Sequence, residues 1–177
     1  MESGLQDHKV IAVYQVDQAV FLAYPPGSEY RPGPSINLAT SPDALHWKPH
    51  RHPGIRPRAD TVATARMGAG APPILTEDGW LTLWHGVEPK EIVGIYRTYW
   101  SILAADDPAR VLHSGTEPLI EANPALTQPI EHQMYLRDVV FTTGIADGGD
   151  HYIVASGEAD LACRITHIPK SALRRTV

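Results

Sequence analysis

RMGAGAPPILTEDGWLTLWHG (residues 66–86) admits three readings: a phosphate-cradling glycine loop, a plain hairpin, or a pair of sugar-binding strands. A nucleotide loop needs glycine-rich backbone that opens onto a helix N-terminus. Here Pro72 and Pro73 follow the glycines, no Gly-Lys-Ser/Thr is present, and the next run, Ile74-Leu75-Thr76, reads as a strand. The nucleotide reading is therefore rejected. Asp78-Gly79 separates that run from the alternating Trp80-Leu81-Thr82-Leu83-Trp84-His85, which marks a hairpin. Gly68 and Gly70 leave a backbone without side chains, which a ligand or another strand can approach closely.

The same pattern repeats along the chain. VIAVYQV (10–16) and AVFLAYP (19–25) are joined by Asp17-Gln18, and SINLATS (35–41) runs into PDALHWK (42–48). IVGIYRTYWSILA (92–104) ends at Asp106-Asp107-Pro108. DVVFTTGI (138–145) and HYIVASGE (151–158) flank ADGGD, and LACRITHI (161–168) follows. These runs are short and rich in Val, Ile, Tyr, Phe, Trp and Thr, as strands are. The 16 prolines leave little room for a long helix. Only PKSALRRTV (169–177) suits a helical turn or two. The chain is thus predicted to be all-β, built from antiparallel hairpins. In TSPDALHWK (40–48), Asp43 is placed to hold a tight turn through side-chain to backbone hydrogen bonds, and Trp47 to fold back under the sheet. Such turns recur at blade hairpins of β-propellers, and ten to twelve strands would make roughly three four-stranded blades.

The 177 residues suffice for one domain with a sizeable core, read as residues 1–177. A net charge of −5 argues against a nucleic-acid partner. The basic residues of WKPHRHPGIRPR (47–58) are interrupted by Pro and Gly and read as a solvated loop. The histidines of HWKPHRH (46–52) match no standard zinc spacing, so no metal is expected. One cysteine, Cys163, excludes an intrachain disulfide and fits a reducing compartment. No run of about 18 apolar residues and no leader-like N-terminus is seen, so the expectation is a cytoplasmic protein without a membrane partner.

Several side chains carry chemistry. Arg66 can form bidentate hydrogen bonds to phosphate or carboxylate. His85, at the end of an alternating strand, can bind an oxyanion or a sugar hydroxyl. Trp84 and Tyr96 offer aromatic faces on which a sugar stacks, although core packing is the commoner use of such rings. Glu131 and Asp160 are carboxylates about 30 residues apart, on different hairpins. A glycosidase needs two such groups, one an acid and the other a base or nucleophile.

Taken in order, the motifs resemble glycoside hydrolase family 130, whose members are mannoside phosphorylases and β-mannosidases with a five-bladed propeller. INLATSPDALHW (36–47) resembles the family's Ser-Pro-Asp…Trp blade hairpin. RMGAGAPPILTEDGWLTLWHGV (66–87) resembles its most distinctive stretch. IYRTYWSILAADDPARVL (95–112) resembles the segment that ends in Asp-Pro. EHQMYLRDVVFTTG (131–144) resembles the stretch with a Glu seven residues before Asn-Val-Val-Phe, and GEADLACRI (157–165) resembles a Gly-Ala-Ala-Asp hairpin.

The resemblance implies a partial five-bladed propeller, the C-terminal part of the fold, that acts on β-mannoside oligosaccharides with inversion. Phosphate or water would attack the anomeric carbon. It implies a phosphate site at Arg66, where the family usually has Lys, and His85. Glu131 would orient an attacking water in hydrolytic members, and Asp160 would lie near the sugar. No cofactor is implied beyond inorganic phosphate as co-substrate.

The departures from the pattern matter as well. The family's general-acid Asp lies N-terminal to the aligned stretch. Its phosphate-binding Arg-Pro falls near AYPP (23–26), and its Lys-Asp pair falls on Lys9-Val10. Met134 and Asp138 replace a Gly and an Asn. The expectation is a truncated enzyme, weakly active or inactive alone. Its alternative is a non-catalytic carbohydrate-binding or assembly half-propeller, whose open sheet edges would favour a homo-oligomer. A five-bladed glycosidase acting on arabinans or fructans is disfavoured by Gly-Ala-Gly-Ala-Pro-Pro.

Overall fold

Apolar alternation builds eleven strands among the described residues of the computed structural model, which are 10–16, 35–49, 55–56 and 66–173. They form three antiparallel sheets that follow one another along the chain. The first sheet pairs β1 (Val10–Val16) with β2 (Ser35–Ser41) and β2 with β3 (Lys48–Pro49). The expected partner of β1, residues 19–25, lies outside the described residues.

The second sheet has the order β4 (Arg66–Ala69), β6 (Gly79–Glu88), β7 (Ile95–Leu103), β8 (Val111–Ser114), and β5 (Ile74–Thr76) also pairs with β6. The third is β9 (Val140–Asp147), β10 (His151–Glu158) and β11 (Ala162–Pro169), with β10 in the middle. Residues 66–86 are therefore a hairpin inside a sheet. Its turn is Glu77-Asp78, and Gly79 opens β6 at φ 125°, a conformation that side chains oppose.

The alternation of β6 and β7 divides the core in two. Leu81, Leu83 and Ile102 face the third sheet and pack with Val140, Tyr152, Val154 and Ile168. Trp84, Tyr99 and Leu103 face the first sheet and pack with Ile36, Ile55 and Met67. Gly70 sits where the second and third sheets meet. A Cβ there would lie 2.9 Å from the Leu83 carbonyl oxygen and 3.2 Å from that of Thr142. The close approach that its missing side chain permits is strand to strand. Across the same boundary, the buried hydroxyls of Thr98 and Thr142 share a 2.6 Å hydrogen bond.

Asp43 holds its turn as the sequence predicts. Its Oδ1 accepts the backbone N–H groups of Leu45 at 2.9 Å and His46 at 2.8 Å, and its Oδ2 meets His46 Nδ1 at 2.7 Å; the His46 side chain first, then these backbone bonds, hold its carboxyl below the usual range. Trp47 does not fold under the sheet. Residues 42–47 form an exposed connection, and Trp47 stays 41% exposed. Among the described residues, helix is confined to short pieces, α1 (Pro124–Thr127) with a 3-10 turn over Gln128–Gln133, and a last turn over Lys170–Leu173. Asn123-Pro124 starts α1: the Asn side chain caps the Ala125 N–H, and Pro occupies the first turn, where no donor is lost. On β11, the single cysteine, Cys163, is exposed.

Candidate active site

Strand register assembles the site. Arg66 on β4 lies opposite Val87 on β6, which lies opposite Tyr96 on β7. Opposed residues share a face, so these three side chains form one row on the side turned to the third sheet. The next row on that face is Gly68, His85 and Thr98. Gly68 contributes no side chain beside His85.

The Arg66 guanidinium carbon stands 5.7 Å from the centre of the Tyr96 ring, and Arg66 Nη2 donates to the Val93 carbonyl at 2.8 Å. His85 stacks on Tyr96 with ring centres 5.5 Å apart and meets Phe141 of β9 at 4.5 Å. His85 itself is 4% exposed, so its ring is held by packing. Among the described residues, no carboxylate forms an ion pair with Arg66. A half-buried guanidinium beside an imidazole and a phenol is a setting in which a phosphate oxygen can be bound.

Asp160 occupies the β10–β11 turn, in which Ala159 (φ 51°) and Asp160 (φ 57°) are both left-handed and Leu161 N–H returns to the Glu158 carbonyl. Two non-glycine residues in that region indicate a turn held by its surroundings. Asp160 is exposed, and the Tyr135 hydroxyl donates to it at 3.5 Å. Glu131 sits in the 3-10 turn, exposed, and pairs with Arg137 at 2.9 Å. Among the described residues, no hydrogen bond or ion pair joins Glu131 to Arg66 or Tyr96.

Trp84 requires a correction. It is 3% exposed, stacks on Tyr99 at 4.8 Å, and donates its indole N–H to Ser101. As an even-numbered residue of β6 it faces the first sheet, opposite to His85. It is a core residue and offers no face to a substrate.

Beneath Asp160, Glu158 is buried (1% exposed), pairs with Arg164 at 2.9 Å, and accepts the Asn123 N–H at 3.1 Å. Burial raises its carboxyl above the usual range, opposed by the Asn123 bond and the Arg164 charge. Sequence reading missed this pair. The signal was available, because Tyr152, Val154, Ser156 and Glu158 alternate inward on β10 and Arg164 lies opposite Ser156. Arg97 extends the charged network from the second sheet, bonding to Glu88 and, at 2.6 Å, to Glu121. The carbonyl of Glu121 in turn accepts from Arg164.

Residues 8–174 match the family described as beta-1,4-mannooligosaccharide phosphorylase. The chain belongs to glycoside hydrolase family 130. It is 35% identical over 131 residues to a 1,2-beta-oligomannan phosphorylase of Thermoanaerobacter sp. (strain X514), an alignment that covers 74% of this chain and 42% of the relative. It is also 35% identical over 128 residues to a beta-1,2-mannobiose phosphorylase of Listeria innocua, covering 71% and 33%. The structure of the Listeria innocua beta-1,2-mannobiose phosphorylase in complex with beta-1,2-mannobiose superposes with a TM-score of 0.71 at 26% identity, over 93% of this chain and 42% of that one. The chain thus spans less than half the length of these relatives.

Proposed function

We propose that this chain forms the phosphate side of a β-mannoside phosphorylase site, with its three sheets arranged as consecutive blades of a partial five-bladed propeller. The propeller reading is supported by three antiparallel sheets that follow in chain order and by the likeness to the Listeria innocua enzyme. The Arg66–Val87–Tyr96 row with His85 beside it carries the functional reading. Arg66 and His85 bind phosphate, and Tyr96 holds both by its ring. Asp160 contacts the mannoside.

In the reaction, a phosphate oxygen bonds to the anomeric carbon as the glycosidic C–O bond breaks, and the departing oxygen takes a proton. Charge on the entering phosphate is stabilised by the guanidinium. A proton donor needs a carboxyl held protonated near neutrality. Burial raises the Glu158 carboxyl, but that group is packed against Arg164. On this reading the chain alone is a binder with weak or no turnover. Glu131 would orient water in a hydrolase, but its Arg137 partner and the phosphorylase relatives favour phosphate as the nucleophile.

Titration of the chain with inorganic phosphate, followed by incubation with β-1,2- and β-1,4-mannobiose with and without phosphate, tests this. Phosphate binding with little release of mannose 1-phosphate is expected. Enzyme-like turnover would refute the claim of inactivity. Turnover that ignores phosphate would make the site hydrolytic.

A further inference from the structure

Asp160 is held only loosely through its own side chain. Its carboxylate is exposed, and the bond it accepts from Tyr135 is 3.5 Å long. Its place is therefore set by the backbone of the turn 159–161, where Ala159 and Asp160 both take left-handed angles that L-residues resist. Glu158 stands directly before that turn, and Arg164 stands just beyond it on β11.

These two side chains act together on a third element. Glu158 Oε1 pairs with Arg164 Nη1 at 2.9 Å. Glu158 Oε2 accepts the Asn123 N–H at 3.1 Å, and Arg164 Nη2 donates to the Glu121 carbonyl at 3.0 Å. One acid and one base thus take the backbone donor and the backbone acceptor of residues 121–123, which belong to no strand. That segment is tied in turn to β7: Thr98 N–H donates to the Ile120 carbonyl at 2.9 Å, and Arg97 pairs with Glu121 at 2.6 Å. Because β7 also carries Tyr96, a continuous chain of bonds runs from the Arg66–Val87–Tyr96 row to the root of the Asp160 turn. Resting on the reading that assigns Asp160 to the mannoside, we propose that Glu158 and Arg164 are a positioning pair, which grips residues 121–123 and so sets where Asp160 stands relative to that row.

Stability alone does not account for the pair. Two charges lose their hydration on burial, their attraction only partly offsets that loss, and apolar residues of similar volume commonly serve as well or better. Glu158 is buried and Arg164 largely so, so the loss applies here. What an apolar pair lacks is direction. It cannot bind a backbone N–H and a backbone carbonyl at once, and a contact without direction lets the turn slide. Where a phosphate oxygen and a sugar carbon must meet, a displacement of about 1 Å is enough to slow the reaction greatly.

The double variant Glu158→Leu/Arg164→Met tests the pair in the full chain. It removes the grip without leaving a lone buried charge, so it should melt close to wild type. Hydrogen exchange at the Leu161 amide, which bonds to the Glu158 carbonyl across the turn, should quicken about tenfold, with amides in the middle of β10 unchanged. In calorimetric titrations β-1,2-mannobiose should bind about tenfold more weakly, the scale of one hydrogen bond to a charged group, and inorganic phosphate as tightly as before. Glu158→Gln, which keeps an acceptor for Asn123 without the charge, should fall between wild type and the double variant in both readouts, and it carries the comparison if the double variant does not fold. Unchanged Leu161 exchange would overturn the positioning role, as would unchanged mannobiose affinity in a variant whose turn has loosened. A loosened turn in a protein that binds no mannobiose in any form would keep the pair as the holder of the turn and remove Asp160 from the sugar site.

Discussion

Arg66 and Tyr96 never pair directly, yet the guanidinium carbon of one stands 5.7 Å from the ring centre of the other, across the intervening strand β6. The contact leaves the charge of Arg66 available while fixing where it points. Arg66→Ala should weaken phosphate binding about tenfold or more, the scale of one hydrogen bond to a charged group. Arg66→Lys should retain part of the affinity, because the charge survives without the planar fork. Phosphate titrations of the three proteins, with melting curves to confirm equal folding, give the comparison.

Thr98 and Thr142 join the second and third sheets through buried hydroxyls. Thr98→Val would leave the Thr142 hydroxyl without that partner, at a cost of about 1–3 kcal/mol. Replacing both by Val should restore much of the loss. Urea denaturation of the two single variants and the double variant would measure the coupling. Simple additivity would show that the hydroxyl pair contributes nothing.

Glu158 gives a pH signature. Its folded carboxyl is shifted upward by burial, so between the ordinary value near 4.5 and its folded value the native state holds more protons than the unfolded chain. In that window its contribution to stability grows as pH falls. Wild type should therefore gain stability relative to Glu158→Gln on acidification from neutrality toward pH 4.5. Below that, Asp147 and Asp150, whose carboxyls are held low mainly by Lys170 and His151 respectively, destabilise both proteins as they take up protons. Denaturation midpoints across this range decide the sign. At neutral pH, Glu158→Ala should cost on the order of 3 kcal/mol, because Arg164 would be left largely buried without its carboxylate partner, keeping only the Glu121 carbonyl.

Gly70→Ala should be poorly tolerated. The new methyl would press on two backbone carbonyls belonging to different sheets, neither of which can rotate away. A loss of about 1–3 kcal/mol is expected in thermal or urea unfolding. Unchanged stability would mean that the two sheets can separate there without penalty.

The strands were legible because alternation reports which residues face inward. HYIVASGE reads as β10 residue for residue, and the Asp43 turn followed from its side-chain chemistry. The failures have physical causes. Composition near an aromatic run cannot tell which face of β6 is lined by neighbouring sheets, so Trp84 reads as a ligand face although it packs against Tyr99. Asn123-Pro124 is a cap followed by a first-turn proline, but a helix this short has no periodicity to notice, so the 3-10 turn that carries Glu131 leaves no pattern in the sequence. Arg66, His85 and Tyr96 were visible as separate candidates. Their convergence depends on register, which pairs residue 66 with 87 and 87 with 96.

The solitary thiol of Cys163 has a practical consequence. It is exposed on β11, three residues beyond Asp160, and no second cysteine competes with it anywhere in the chain. A thiol-reactive fluorophore would attach at one defined position beside the turn that carries Asp160. The protein thus comes with its own labelling handle, and optical detection of ligand at this end of the sheets requires no engineered residue.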